Sequence, residues 1–303
     1  MIAFVAIFYY LMNVMEESLI SVYEKNLEQS VKQVDSVLKN IGVVERSVED
    51  NYRKILIQSC SNITDKWKSG RKYARTSFIK EAYGSSYPEG VFKDSIFIDA
   101  MVNILDDLLD EDLKKNEKKL YVLEFLRIFA SHNFELISSE AQALIGSYFY
   151  KLISLAIIEN YYDNLLNSER DIEKLIGYSC KVLDCRSMDI DIFSDLALLN
   201  SDLVFTNEEK SSLTKISRIF RALNIIKKDI DDMEHDKATG QESLILKVYT
   251  NNPNDFYKYV SRIVEHYKRE AAFVLKNEQG NIIFVNFYNM IEAENKKILI
   301  NIK

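Results

Sequence analysis

Only eight glycines and two prolines interrupt 303 residues, and this scarcity of chain breakers constrains the fold more than any other feature. A sheet protein needs frequent turns, and turns draw on glycine and proline. Long helices need few of either. Both prolines, Pro88 and Pro253, sit in stretches that read as loops. The expected class is therefore all-α.

The apolar residues repeat as helices require. Leu213, Ile216, Ile219, Phe220, Leu223 and Ile226 recur at three- and four-residue steps and form one stripe. Ile98, Met101, Val102 and Leu105 form another. Breaks are expected near Ser69–Gly70, Gly84–Gly90, Lys114–Lys119, Asn207–Ser211 and Asn251–Asn254. With helices of ordinary length this spacing predicts roughly ten helices. No repeat or low-complexity linker divides the chain, so 1–303 reads as a single-domain helical bundle with its core over about 20–270. The stretch 271–303 reads as a small appendage. Within it, Phe273–Leu275 and Ile282–Phe287 flank Gly280 and read as a two-stranded hairpin, or equally as two short helices with a glycine cap.

Charge and sulfur narrow the function classes. Lysine plus arginine number 39 against 46 acids, a net charge of −7, which argues against a nucleic-acid partner. Cys60, Cys180 and Cys185 lack metal-ligand spacing, and His132, His235 and His266 are scattered, so no zinc site is expected. Unpaired thiols fit a cytoplasmic protein. Met1–Met15 carries no charge, but it falls short of the roughly 20 apolar residues of a membrane span. It also lacks the basic start of a signal peptide. A buried or dimer-interface first helix is the primary expectation for 1–15, with peripheral membrane contact as the alternative.

The sharpest chemical signal is the run Asp106-Asp107-Leu-Leu-Asp110-Glu-Asp112. On a helix Asp106 and Asp110 share a face, with Asp107 beside them, and like charges so placed repel unless a cation sits there. Magnesium suits the spacing, because it takes carboxylate oxygens while keeping waters and phosphate oxygens. Val102 lies one turn below, so a charged rim stands over an apolar wall. Taken alone, such a run also describes an acidic, solvated helix end. A second cluster, Lys228-Asp229-Ile-Asp231-Asp232-Met-Glu234-His-Asp236, follows directly on the stripe that ends at Ile226. Asp232 and Asp236 again lie four apart, with Asp229 one turn earlier. Two such clusters suit a diphosphate held through bridging magnesium. Gly70-Arg71-Lys72 with Arg75 adds cations suited to phosphate. Lys114, Lys115, Lys118 and Lys119 read as a solvated face.

This ordered set resembles the class I isoprenoid synthases, above all the trans-polyprenyl diphosphate synthases. There a Gly-Lys-Arg segment, an Asp-Asp-x-x-Asp segment and a second aspartate-rich segment follow in this order, and the likeness covers roughly residues 65–245. It implies an all-α bundle of the isoprenoid synthase type around a deep central pocket, three magnesium ions with substrate bound, and a homodimer. It also implies a magnesium-dependent prenyltransferase that condenses an allylic prenyl diphosphate with isopentenyl diphosphate. Catalysis would fall to Asp106, Asp107, Asp110, Asp229 and Asp232, with Asp106, Asp110, Asp232 and Asp236 as metal ligands. Gly70, Arg71, Lys72, Arg75 and Lys228 would bind the diphosphates, and Met101 and Val102 would set the pocket floor and product length. Lys228 stands where that family has its first aspartate of the second motif. Lys228, Asp232 and Asp236 also occupy the ligand positions of the terpene-cyclase triad, with Arg186 upstream as a diphosphate sensor, so a cyclase is the alternative. A non-catalytic helical partner subunit is the third reading.

Overall fold

The computed structural model describes residues 74–109, 139–240, 243–251, 253–278 and 280–302. Among them are nine α-helices and no strand, which bears out the all-α class. These are α1 (Ala74–Tyr83), α2 (Phe92–Leu109), α3 (Ser139–Ser168), α4 (Ile172–Ser187) and α5 (Asp191–Asn200), then α6 (Asn207–Thr239), α7 (Leu244–Asn251), α8 (Phe256–Asn277) and α9 (Ile282–Asn301). No helix among the described residues is long and apolar enough to cross a membrane. The N-terminal stretch 1–15 and the expected breaks near Ser69–Gly70 and Lys114–Lys119 lie outside the described residues.

The chain forms two compact units, Met1–Ala74 with Ile96–Phe134, and Arg75–Ser95 with Glu135–Lys303. In the first, the described part of α2 buries Phe97, Ile98, Met101 and Val102. Three of these belong to the stripe read from sequence. The side chain of Leu105, the fourth stripe residue, is outside the description.

The second unit is organised around α6. Leu213, Ile216, Ile219, Phe220, Leu223 and Ile226, the predicted stripe, are all buried. Ala222, Ile225 and Ile230 widen that stripe, because α4, α5, α7, α8 and α9 all pack on this one helix. Phe220 meets Phe78 of α1 edge-on at 4.8 Å and Phe287 of α9 at 6.5 Å. Phe284, Phe287, Ile291 and Ile298 of α9 have no exposed surface at all. The hairpin reading of 273–287 is therefore corrected. Both segments are helical, and they lie in helices far longer than the short pair read as the alternative. The short apolar run that reads locally like a strand, Ile282 to Phe287, sits at the start of α9, where Ile283, Phe284 and Phe287 recur at helical steps. Gly280, with φ of 97°, makes the turn, and the Asn281 side chain accepts from the Ile283 N–H at 3.0 Å to start the helix.

Local signals set the other boundaries. Thr206 and Glu209 close a capping box at the start of α6, with Thr206 Oγ1 accepting from the Glu209 N–H at 3.1 Å and Glu209 accepting from the Thr206 N–H at 2.7 Å. The break expected at Asn207–Ser211 thus falls just before Asn207. Asp171 caps α4 by accepting from the N–H groups of Glu173 and Lys174. The breaks at Gly84–Gly90 and Asn251–Asn254 coincide with short 3-10 turns between helices.

Gly240 ends α6 in the left-handed region, with φ of 73°. A methyl group there would meet no neighbour within 4 Å, so Gly240→Ala has only backbone strain against it. It is expected to lower stability by about 1–2 kcal/mol, read as a drop of a few degrees in Tm. An unchanged Tm would show that α6 ends elsewhere in solution.

Candidate functional site

The first aspartate motif lies at the C-terminal end of α2. Asp106 and Asp107 are in its last turn, their side chains outside the description, and Asp110 is beyond the described residues. So are Gly70, Arg71 and Lys72. Met101 and Val102 are buried one turn before Asp106.

The second motif ends α6, and the structure separates its members. Asp231 is exposed and pairs with Lys227 one turn back, while Asn301 of α9 donates to it at 2.9 Å. Asp232 is half-buried, and Lys228 is exposed. Asp229 and Asp236 are each only 8% exposed. The Ile245 N–H, in the first turn of α7, hydrogen bonds to the Asp229 carboxylate, so this residue holds α7 against α6. Its other oxygen, Oδ2, is buried without a hydrogen bond and faces Arg186 Nη1 of α4 at 3.9 Å. Burial pushes the Asp229 carboxyl up, against the opposing pull of Arg186 and Lys228, and the Asp236 charge raises it further.

Arg186 ties this end of the second unit together. Its Nε donates to Glu159 of α3 at 2.5 Å while its Nη1 leans toward Asp229, so one guanidinium spans α3, α4 and α6. Lys247 of α7 pairs with Asp163 of α3, one turn from Glu159. Tyr162 and Tyr178 stack obliquely beside these pairs, ring centres 6.4 Å apart. The result is a partly open cluster of both signs, in which Arg186 and Lys228 present cations suited to an anionic oxygen.

On α6 alone the donors do not fit magnesium. Asp229 is engaged by Ile245 and Arg186, and Asp231 by Lys227 and Asn301. Among the described residues no three His, Cys, Asp or Glu side chains converge as a group able to hold a metal.

A second charged cluster, which sequence reading missed, lies at the corner between α4 and α5. Asp189 is 8% exposed and takes Arg75 Nε at 2.6 Å and Arg221 Nη2 at 2.7 Å. Arg75, assigned from sequence to substrate, is thus bound to a buried carboxylate. Burial pushes Asp189 up, but the Arg221 and Arg75 charges outweigh it and hold the carboxyl at about 2. Two residues on, Asp191 accepts a fork from Arg218 at 2.7 and 2.6 Å and also pairs with Lys151. Arg221 continues through Asn224 to Glu294 of α9. The available signal was the placement of Arg218 and Arg221 inside the apolar span of α6, where a charge must find a partner.

Asp195, one turn after Asp191, is pushed up to about 6 by burial and by the Asp191 charge, with Lys151 and Arg218 opposing. A raised carboxyl favours the protonated fold, so its contribution is present below the unfolded value of about 3.9 and is lost as pH rises through 6. Asp195→Asn is expected to match the wild type near pH 4 and to unfold at a higher temperature than it at pH 7.5. Thermal unfolding at the two pH values checks this, and a variant less stable at pH 7.5 would mean that Asp195 is a needed anion.

No protein-family model matches this chain, and no curated protein or solved structure matches it either.

Proposed function

We propose that the chain acts on an isoprenoid diphosphate, as a magnesium-dependent prenyltransferase that condenses an allylic diphosphate with isopentenyl diphosphate. The reading rests on the ordered motifs in the sequence. The observation that favours it is the end of α6, where a buried apolar stripe passes into Asp229, Asp232 and Asp236 with Arg186 set against Asp229. Magnesium duty falls to Asp106, Asp110, Asp232 and Asp236, with the first motif as the main contributor, since α6 by itself does not complete a metal group. Arg186 and Lys228 receive diphosphate oxygens as fork and point donors respectively. Glu159 holds Arg186 in place through its Nε, so the guanidinium is oriented before an anion arrives.

Cyclisation of a prenyl diphosphate is the second reading, favoured by the same Arg186–Asp229 approach at 3.9 Å and by the engagement of Arg75 with Asp189. The first would leave Arg186 as a diphosphate sensor. The second withdraws one cation from isopentenyl diphosphate.

The test is incubation of the full chain with magnesium and geranyl, farnesyl or geranylgeranyl diphosphate, with and without isopentenyl diphosphate, read by mass spectrometry. Longer diphosphates formed only with isopentenyl diphosphate are the expected result. Hydrocarbons or alcohols from an allylic diphosphate alone would establish cyclisation. An absence of products in every mixture would overturn both readings and leave a non-catalytic partner subunit.

A further inference from the structure

The long helix α3 has two unlike faces. Its inner face buries Ala141, Ile145, Tyr148 and Leu166, and among the described residues it packs on α4 and α5. Its outer face carries no charge. Beyond Glu140 the helix has three charged residues, Lys151, Glu159 and Asp163, and none is exposed. Each is half-buried and turned to a partner, Asp191 of α5, Arg186 of α4 and Lys247 of α7. A solvated helix face draws on charged side chains, and 28% of this chain is charged, so a bare face of this length needs a reason.

What stands outward instead repeats like the seam of a coiled coil. Ala143, Gly146, Ile157, Asn160, Asn164 and Asn167 are all exposed, and with positions 150 and 153 they run at alternating steps of three and four. The run covers about three and a half heptads, a rise of about 36 Å. Ile157 is 69% exposed, and Tyr161 and Ile158 beside it are 62% and 46% exposed. Gly146 adds a separate observation. A glycine inside a helix costs about 0.5–1 kcal/mol relative to alanine, yet a methyl group there would meet no neighbour within 4 Å. The packing within the chain gives no reason for a glycine at this point.

We propose that this face pairs with the same face of a second copy of the chain, α3 against α3, antiparallel about a two-fold axis at Leu155. The spacing is symmetric about that residue, so 143 falls opposite 167, 146 opposite 164, 150 opposite 160 and 153 opposite 157. In this register the small residues Ala143 and Gly146 make room for Asn167 and Asn164. A parallel pair would set glycine against glycine and crowd three asparagine layers at one end. An uncharged face suits another, because neither copy strips water from an ion. With a helix width of about 10–12 Å the seam covers about 400 Å² per copy, at the low end for specific contacts, so the dimer is weak and concentration-dependent. The pairing rests on α3 alone and is independent of the proposed prenyl chemistry.

Sedimentation of the full-length protein from about 1 to 200 μM should show a mass rising from 35.3 kDa toward twice that value. Ile157→Asp enters the seam twice, once in each copy, and should weaken association by about 10²-fold or more. Its helical circular dichroism should stay unchanged, since Ile157 is exposed in the single chain. Gly146→Cys and Asn164→Cys, oxidised with copper phenanthroline, report the orientation. Above the wild-type background, cross-linked dimer is expected only when the two variants are mixed. Cross-links within either variant alone, or none in the mixture, would overturn the antiparallel pairing. A mass of one chain at the highest concentration, or a dimer indifferent to Ile157→Asp, would overturn the use of this face altogether.

Discussion

Asp189→Asn is expected to lower the stability of the folded chain by about 3–5 kcal/mol at pH 7, the range for removing one partner of a buried ion pair. The substitution keeps the shape and deletes the charge, leaving Arg75 and Arg221 facing each other across a neutral amide with little access to water. Three parts of the second unit meet at Asp189, since Arg75 of α1 and Arg221 of α6 bind its carboxylate and Tyr148 of α3 donates to its backbone oxygen at 2.5 Å. A loss of this size moves Tm down by roughly 6–15 °C in a chain of this length. The pH dependence is a second check. The folded carboxyl sits at about 2, below the unfolded value near 3.9, so its contribution is full above the unfolded value and fades as pH falls toward 2. Urea unfolding of variant and wild type should therefore show a wide gap at pH 7 that narrows below pH 4. A gap that is absent at pH 7, or constant down to pH 2, would refute the charge account.

On the proposed prenyltransferase reading, Asp106→Ala is expected to cut turnover of the prenyl diphosphate by at least about 10²-fold while leaving the helical circular dichroism unchanged. On that reading a carboxylate holding magnesium would supply several kcal/mol of transition-state stabilisation, and each 1.4 kcal/mol is a factor of ten. The position is in the last turn of α2, where an acid opposes the helix dipole, so the fold has no reason to suffer. Asp231→Ala is the matched control, because Asp231 is tied to Lys227 and Asn301 on the outside of α6. Near-normal turnover in Asp106→Ala, or equal losses in both variants, would remove the first motif from the site.

The helical class and the buried face of α6 were legible because they are local properties. Few glycines and prolines, and apolar residues at three- and four-residue steps, specify a helix and its inward stripe whatever the partners are. The same holds for the turn at Gly84–Gly90 and for the one after Asn251. The start of α6 was misplaced by a few residues although its capping box, Thr206 with Glu209, was there to be read. The hairpin reading of 273–287 failed for a different reason. A short apolar run suits a strand or a buried helix equally, and only the long continuation of α9, with Phe284, Phe287, Ile291 and Ile298 all inward, separates them.

By itself, then, the sequence determined that this chain is helical, that α6 carries the central apolar face, and that acids crowd the ends of α2 and α6. Spacing along one helix determines which side chains share a face, and nothing further is needed. Only the tertiary structure decided what those charges touch. Arg75 reads from sequence as a phosphate ligand, and only the fold sets Asp189, 114 positions away, beside it. Asp229 reads from sequence as a catalytic carboxylate, and it is the packing that gives it the Ile245 N–H of α7 and Arg186 of α4 as neighbours. A buried charge must be matched, and the partner that matches it can come from any helix that packs there, so its identity is a property of the packing rather than of the neighbouring residues.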